Sequence, residues 1–177
     1  YRQQEFFNQF LPCDPPRRYV SGETHRYLGR QYRLKVKHSS RESVKLERGR
    51  FIVSTGNKNG CERIKTQLTD WYRTHATQVF ADRLERCWER LRKYGVCLPD
   101  FRLKKMQKRW GSCTKRGVIY LNPVLVKTPK SNIDYVILHE LCHLKHPDHG
   151  KAFQRLLQTL MPEWKLVKQK LESCQYI

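Results

Sequence analysis

The thirteen residues Ile137-Leu138-His139-Glu140-Leu141-Cys142-His143-Leu144-Lys145-His146-Pro147-Asp148-His149 constrain the fold most, since four of the seven histidines in the chain fall among them. They contain a His-Glu-x-x-His pattern, whose chemistry depends on helical geometry. Residues four apart lie one turn apart on the same face of an α-helix. His139 and His143 can then offer two imidazole nitrogens to one metal ion. Glu140 is offset from that face, and its carboxylate can reach a water at the metal as general base. Chance would put such a pattern in roughly one or two in a hundred chains of this composition, so the helical context must support it. It does. Ser131 with Asp134 three residues on has the form of a capping box, and Ile133, Val136, Ile137, Leu141 and Leu144 form one apolar face. Pro147, which has no amide hydrogen, stops the helix. Cys142 points away from the shared histidine face and reads as core.

A catalytic site of this kind needs a third protein ligand and an open position. His146 lies seven residues after His139, roughly 10 Å along a helix axis, and precedes a proline. His149 is better placed, because a Pro147-Asp148 turn lets the chain double back before His149-Gly150 opens the next helix. Glu163 is the second candidate and His146 the third. Asp148 either orients a ligand imidazole or is a plain turn residue.

The rest of the chain reads as one α+β domain, a small antiparallel sheet packed on helices. Residues 1–18, with Pro12, Pro15, Pro16, Arg17 and Arg18, form an irregular arm ahead of a domain spanning 19–177. Within 19–58 the period-two alternation of Tyr32–Lys37 and Ser43–Glu47, followed by the Arg48-Gly49 turn into Phe51-Ile52-Val53, predicts an antiparallel meander with one basic and one buried face. Residues 60–93 form a long helix with Ile64, Leu68, Trp71, Tyr72, His75, Val79, Phe80, Leu84, Trp88 and Leu91 inward; His75 reads as a satisfied core histidine. The catalytic half is 101–177. In it, Phe101–Arg109 and Val118–Leu121 suggest a β-hairpin, and Phe153, Leu156, Leu157 and Leu160 an amphipathic helix. Pro162 is placed to start a last helix, with Trp164, Val167 and Leu171 inward.

Lys and Arg total 36 against 16 Asp and Glu, a net charge of +20. Residues 101–130 carry nine of the cations and no acid. Beside an active-site helix such a stretch would draw in an anionic partner: a nucleotide, a nucleic acid or an acidic polypeptide. Arg109, Trp110, Tyr120, Lys105 and Lys108 are the candidate substrate-binding residues, Arg109 and Tyr120 also as oxyanion donors, though Trp110 also suits a core position. The seven cysteines are odd in number and form no Cys-x-x-Cys, which argues against a disulfide framework or a four-thiolate metal site and for a reducing, cytoplasmic setting. No apolar run is long enough to span a membrane.

The motif from His139 to His146, continued by His149-Gly150-Lys151-Ala152-Phe153, resembles the YgjP-like metallopeptidase family. So do Arg109-Trp110-Gly111-Ser112-Cys113, Tyr120-Leu121-Asn122 and Gly22-Glu23-Thr24-His25-Arg26-Tyr27-Leu28-Gly29. The resemblance runs over about residues 19–165. It is a minimal zincin family related to SprT-like proteases and to DNA–protein-crosslink proteases of the yeast type. The resemblance implies a zincin-like fold, one Zn2+ ion held by His139, His143 and His149, and Glu140 as catalytic base. It implies a zinc metallohydrolase of peptidase type. A nucleoside-triphosphate pyrophosphatase activity is also attached to the family and is the alternative. A basic nucleic-acid-binding module with a structural metal is the alternative of another class.

Overall fold

The computed structural model describes residues 17–56 and 60–173; most of the expected N-terminal arm lies outside them. The first strands are β1 (Thr24–Tyr27), β2 (Arg30–His38), β3 (Ser43–Glu47) and β4 (Arg50–Thr55). They form a four-stranded sheet in the order β1-β2-β4-β3. The expected antiparallel meander is corrected here: β2 pairs with β4 in parallel, from Arg33 opposite Arg50 to His38 opposite Thr55. The reason is hydrophobic. β4 carries Phe51 and Val53, both fully buried, and takes a central place, while the more polar β3 goes to the edge.

The helix α1 (Cys61–Leu91) covers the inner face of this sheet. Its buried residues Ile64, Leu68, Tyr72, Ala76, Phe80, Leu84, Cys87 and Leu91 recur at three- and four-residue intervals. Trp71, His75, Val79 and Trp88 flank that stripe, half-buried rather than fully inward. His75 stacks on Trp71 with ring centroids 3.7 Å apart, and its Nδ1 lies 2.8 Å from the Trp71 carbonyl oxygen, so it is indeed satisfied.

A second, three-stranded sheet follows, with β5 (Phe101–Leu103), β6 (Gly111–Cys113) and β7 (Ile119–Leu121) in the order β5-β7-β6. The hairpin joins β6 to β7, not the Phe101 segment to β7; β5 instead runs parallel to β7. The turn between β6 and β7 uses Gly117 at φ +80, a conformation that side chains disfavour. A 3-10 turn at Pro123–Lys127 leads into α2 (Lys130–Lys145), then α3 (Lys151–Leu160) and α4 (Trp164–Ser173). The last helix begins two residues after Pro162, with the Met161 and Glu163 carbonyls receiving its first amides.

The two halves meet at one point of close backbone approach. Leu28 and Gly29 at the β1–β2 turn donate to the carbonyls of Val126 and Lys127, at 2.9 and 3.1 Å. A Cβ at Gly29 would fall 2.8 Å from Pro129 Cγ, so only glycine lets this turn seat against the start of α2. Ile119, Leu121, Leu125, Val126, Ile133, Ile137, Leu138 and Leu141 are fully buried and join the core formed by α1 and the first sheet.

Candidate metal centre

The helix α2 starts at Lys130 with Pro129 at the N-cap, and no side chain caps it. The Ser131–Asp134 capping box therefore does not form. Asp134 is engaged instead by Arg83 of α1: Arg83 Nε donates to Oδ1 at 2.6 Å and Nη2 to Oδ2. A two-pronged charged bond of this type is stronger than a neutral cap, and it fixes α2 against α1.

The helix ends at Lys145, and His146 leaves it with extended backbone (φ −131, ψ 100), as the following proline requires. The chain doubles back through Pro147 and Asp148 to Gly150, the N-cap of α3. His139 and His143 from α2 and His149 from this turn come together, with one ligand atom of each lying within 4.8 Å of the others. His149 Nε2 is 3.0 Å from His139 Nε2, close to the roughly 3.3 Å expected between two nitrogens bound tetrahedrally to one zinc. Phe153 of α3 backs the cluster, its ring 5.0, 4.8 and 4.8 Å from the three imidazoles. Gln154 Nε2 donates to the His149 carbonyl at 3.2 Å and steadies the turn. His146 and Glu163 are not in the group. His146 contributes its carbonyl, 3.3 Å from His143 Nδ1. If Nδ1 donates there, the other ring nitrogen is left with its lone pair free, the usual arrangement for a ligating histidine. Asp148 is exposed and makes no side-chain hydrogen bond among the described residues, so it is a turn residue here.

Three observations fit a divalent metal. Burial, with His143 and His149 nearby, depresses His139 to about 3, and burial also lowers His143, so these rings stay neutral at physiological pH. The donor set is all imidazole nitrogen, which suits zinc better than magnesium or calcium. Finally, His139 Nδ1 is buried with no hydrogen-bond partner among the described residues. A buried polar atom without a partner calls for an explanation, and an ion held at the site is one.

Glu140 faces the same cleft and is 6 % exposed. Burial raises its carboxyl to about 7, against the opposing influence of the Arg109 guanidinium and an N–H bond from Cys113. Gly111 of β6 makes this possible: a Cβ there would lie 2.9 Å from Glu140 Oε1 and 2.9 Å from Val136 Cγ1. The sequence carries Gly111 within the Arg109–Cys113 motif but shows nothing of this contact. The buried Asn122 was likewise passed over as a positioning residue. Its Nδ2 donates to the carbonyls of Met106 and Arg109 at 2.7 and 3.2 Å, pinning the loop that presents Arg109.

The cleft has a volume of about 1120 Å3. Of the candidate substrate-binding residues, Arg109 and Trp110 line it, whereas Lys105, Lys108 and Tyr120 do not. Tyr120 lies on the middle strand β7 with Lys104 Nζ 5.4 Å from its ring centroid. The cations that do border the cleft with Arg109 are Lys115, Arg116 and Lys168, and the tyrosine is Tyr135. Tyr135 lies one turn before His139, so helical spacing alone points to it; nothing in the sequence placed Lys168 there.

The family described as YgjP-like, metallopeptidase domain, matches residues 1–174, a wider span than the motifs alone suggested. Two solved structures are similar over 52% of this chain. One is the metallopeptidase zymogen abylysin of Pyrococcus abyssi, at 26% identity, with 90% of that chain covered and a TM-score of 0.47. The other is the metallopeptidase zymogen jannalysin of Methanocaldococcus jannaschii, at 23% identity, with 92% of that chain covered and a TM-score of 0.44. No curated protein sequence matches the chain.

Proposed function

Because the chain belongs to the YgjP-like metallopeptidase domain family, we propose that it is a zinc-dependent metallopeptidase with the 19–177 segment as one zincin-like catalytic domain. The single observation that carries this reading is the convergence of His139, His143 and His149 beside the buried Glu140 in one cleft. His139, His143 and His149 would hold one zinc ion through their imidazole nitrogens. Zinc, when bound, supplies Lewis acidity toward water and the scissile carbonyl. Glu140 takes a proton from the attacking water at its carboxylate and delivers it to the leaving amine nitrogen. Its burial favours this exchange, since a carboxyl raised toward neutrality both accepts and returns a proton readily at physiological pH. Gly111 and the Cys113 amide hold the carboxylate in place. The free thiols of Cys87, Cys97, Cys113 and Cys142 suit a reducing compartment, and we place the protein in the cytoplasm. No helix among the described residues is long and apolar enough to cross a membrane.

The test is Glu140→Gln, which keeps shape and removes the base. Zinc content should be unchanged, and hydrolysis of an unstructured protein should fall by at least about a hundredfold. Full activity in that variant would end the mechanism.

A second reading has its own support. Arg109, Lys115, Arg116 and Lys168 border the cleft, and cleavage of a phosphoanhydride needs cations around the leaving phosphates. A panel of nucleoside triphosphates and unstructured proteins, assayed with zinc and other divalent ions, separates the two. The nucleic-acid module with a structural metal is less favoured, since structural zinc sites are closed by four protein ligands.

A further inference from the structure

The outer face of the first sheet is a second basic surface, distinct from the cleft in residues and in elements. Side chains alternate across a strand. With Leu34 and Val36 of β2 and Phe51 and Val53 of β4 turned toward α1, the intervening residues face solvent. On β2 these include Arg33, Lys35 and Lys37, all exposed. Exposed Arg50 on β4 and Lys45 on β3 share the face. The one carboxylate on it, Glu47, lies opposite Arg50 and 3.8 Å from Lys45 Nζ. Arg33, Lys35 and Lys37 have no ion-pair partner among the described residues.

Two features argue against simple solvation. Lysines commonly protect sheet edges from unwanted pairing, but β1 and β3 are the edges here, and most of these cations lie on the central strands β2 and β4. Moreover, Arg33 stands directly opposite Arg50, and like charges so placed destabilise a sheet by a few tenths of a kcal/mol or more. Such an array gains most from a partner with dense, regular negative charge.

We propose that this face is a docking surface for double-stranded nucleic acid, held through its phosphate backbones. Successive outward cations on β2 are about 6.6 Å apart and the neighbouring strand lies about 4.8 Å away, a regular grid of positive charge. Duplex DNA offers one phosphate per about 1.7 Å of axis. The face carries no aromatic side chain, because Tyr27 and Tyr32 share the inward side with His25 and Leu34. It therefore lacks the stacking platform on which single strands are bound. Contacts to phosphate carry no sequence information, so binding through them is independent of sequence. The surface stands apart from the catalytic reading and is tested without turnover.

The experiment is fluorescence anisotropy with a DNA duplex of about 20 base pairs, titrated between about 50 and 200 mM salt. Four phosphate contacts, from Arg33, Lys35, Lys37 and Arg50, give a slope of log affinity against log salt near −3.6. The triple change Arg33→Gln, Lys35→Gln, Lys37→Gln should reduce that slope by about 2.7 and weaken binding at least tenfold at about 100 mM salt. Lys65→Gln, Arg73→Gln and Arg86→Gln together remove the same charge from α1, away from the face, and should leave affinity within about twofold. Arg33→Lys with Arg50→Lys keeps the charge and should keep the binding, and Lys35→Gln alone, a mild change, should lower the slope by about 0.9. Melting curves confirm that each variant is folded. The proposal is overturned if the α1 triple weakens binding as much as the β2 triple, or if Arg109→Gln with Lys115→Gln abolishes it. It is equally overturned if single strands or phosphatidylserine vesicles bind more tightly than the duplex.

Discussion

Glu140 sits where a change of one carbon elsewhere can be felt. The space for its carboxylate exists because residue 111 has no side chain; a Cβ there would meet Glu140 Oε1 and Val136 Cγ1, both at 2.9 Å. Glu140 can swing, but Val136 is buried in α2 and cannot. Gly111→Ala should therefore displace the carboxylate or push β6 off the helix. The expected result is a loss of at least tenfold in kcat with zinc content intact, an effect of 1.4 kcal/mol or more on the barrier. Unchanged kcat would mean that the carboxylate position is not critical. The third ligand is tested at the same scale. His149→Ala should empty the site at chelator concentrations that leave the native protein loaded, a loss exceeding the roughly 10- to 100-fold typical of residues that only support a ligand. His146→Ala removes no ring from the cluster and keeps the carbonyl that faces His143, so zinc stoichiometry should hold. The reverse pattern would require a different ligand set.

At the scale of elements, β1 brings a histidine into the core. His25 is 3 % exposed, lies near Phe51 of β4, and has its Nδ1 3.5 Å from Arg17 Nη1. Burial first, then Arg17 and Lys127, lower its pKa to about 4, against an opposing pull from Glu23 3.6 Å away. The unfolded chain binds this proton near pH 6.5 and the folded one only near 4. Between those values the unfolded state holds more protons, so stability is full above about 6.5 and falls as pH drops toward 4. The contribution is up to about 3 kcal/mol. The denaturant midpoint of the native protein, measured relative to that of His25→Phe across that window, should drop as pH falls; a constant difference would show that His25 does not titrate as described. The elements also show what a sequence exposes. The α2 helix and the His139–His149 turn were legible because their signals are local: four-residue spacing, a proline, a glycine. The sheet order was not, because β4 enters between β2 and β3 through burial of Phe51 and Val53, which depends on the whole core. Asp134 misled for the same reason, since its partner Arg83 lies 51 residues away. The close approach of Gly111 to Glu140 is likewise tertiary and leaves no periodic mark.

For the whole molecule, the question is how far the metal holds the fold together. In small metal-dependent domains the ion is the core, and its removal unfolds them. Here the core is independent of the site: fully buried Phe51, Phe80, Ile64, Leu68, Leu91, Ile137 and Leu138 come from the first sheet, α1 and α2. Two of the three imidazoles already sit on α2, which is fixed to α1 by the Arg83–Asp134 pair. A bound ion would add a tie from α2 to the turn carrying His149, and so to the start of α3. Removing it should loosen that turn and leave the rest in place. Chelation followed by buffer exchange should then leave the far-ultraviolet circular dichroism nearly unchanged. A site loaded at about a hundred times its Kd adds about 2.7 kcal/mol, and in a chain of this length each kcal/mol moves Tm by about 2–4 °C. The stripped protein should melt about 5–10 °C lower and regain its Tm when zinc is returned. His149→Ala should melt like the stripped protein and gain little from added zinc. A chelated protein that loses its helical signal altogether would mean that the metal organises the core; an unchanged Tm would mean that the three histidines do not hold an ion in the native protein.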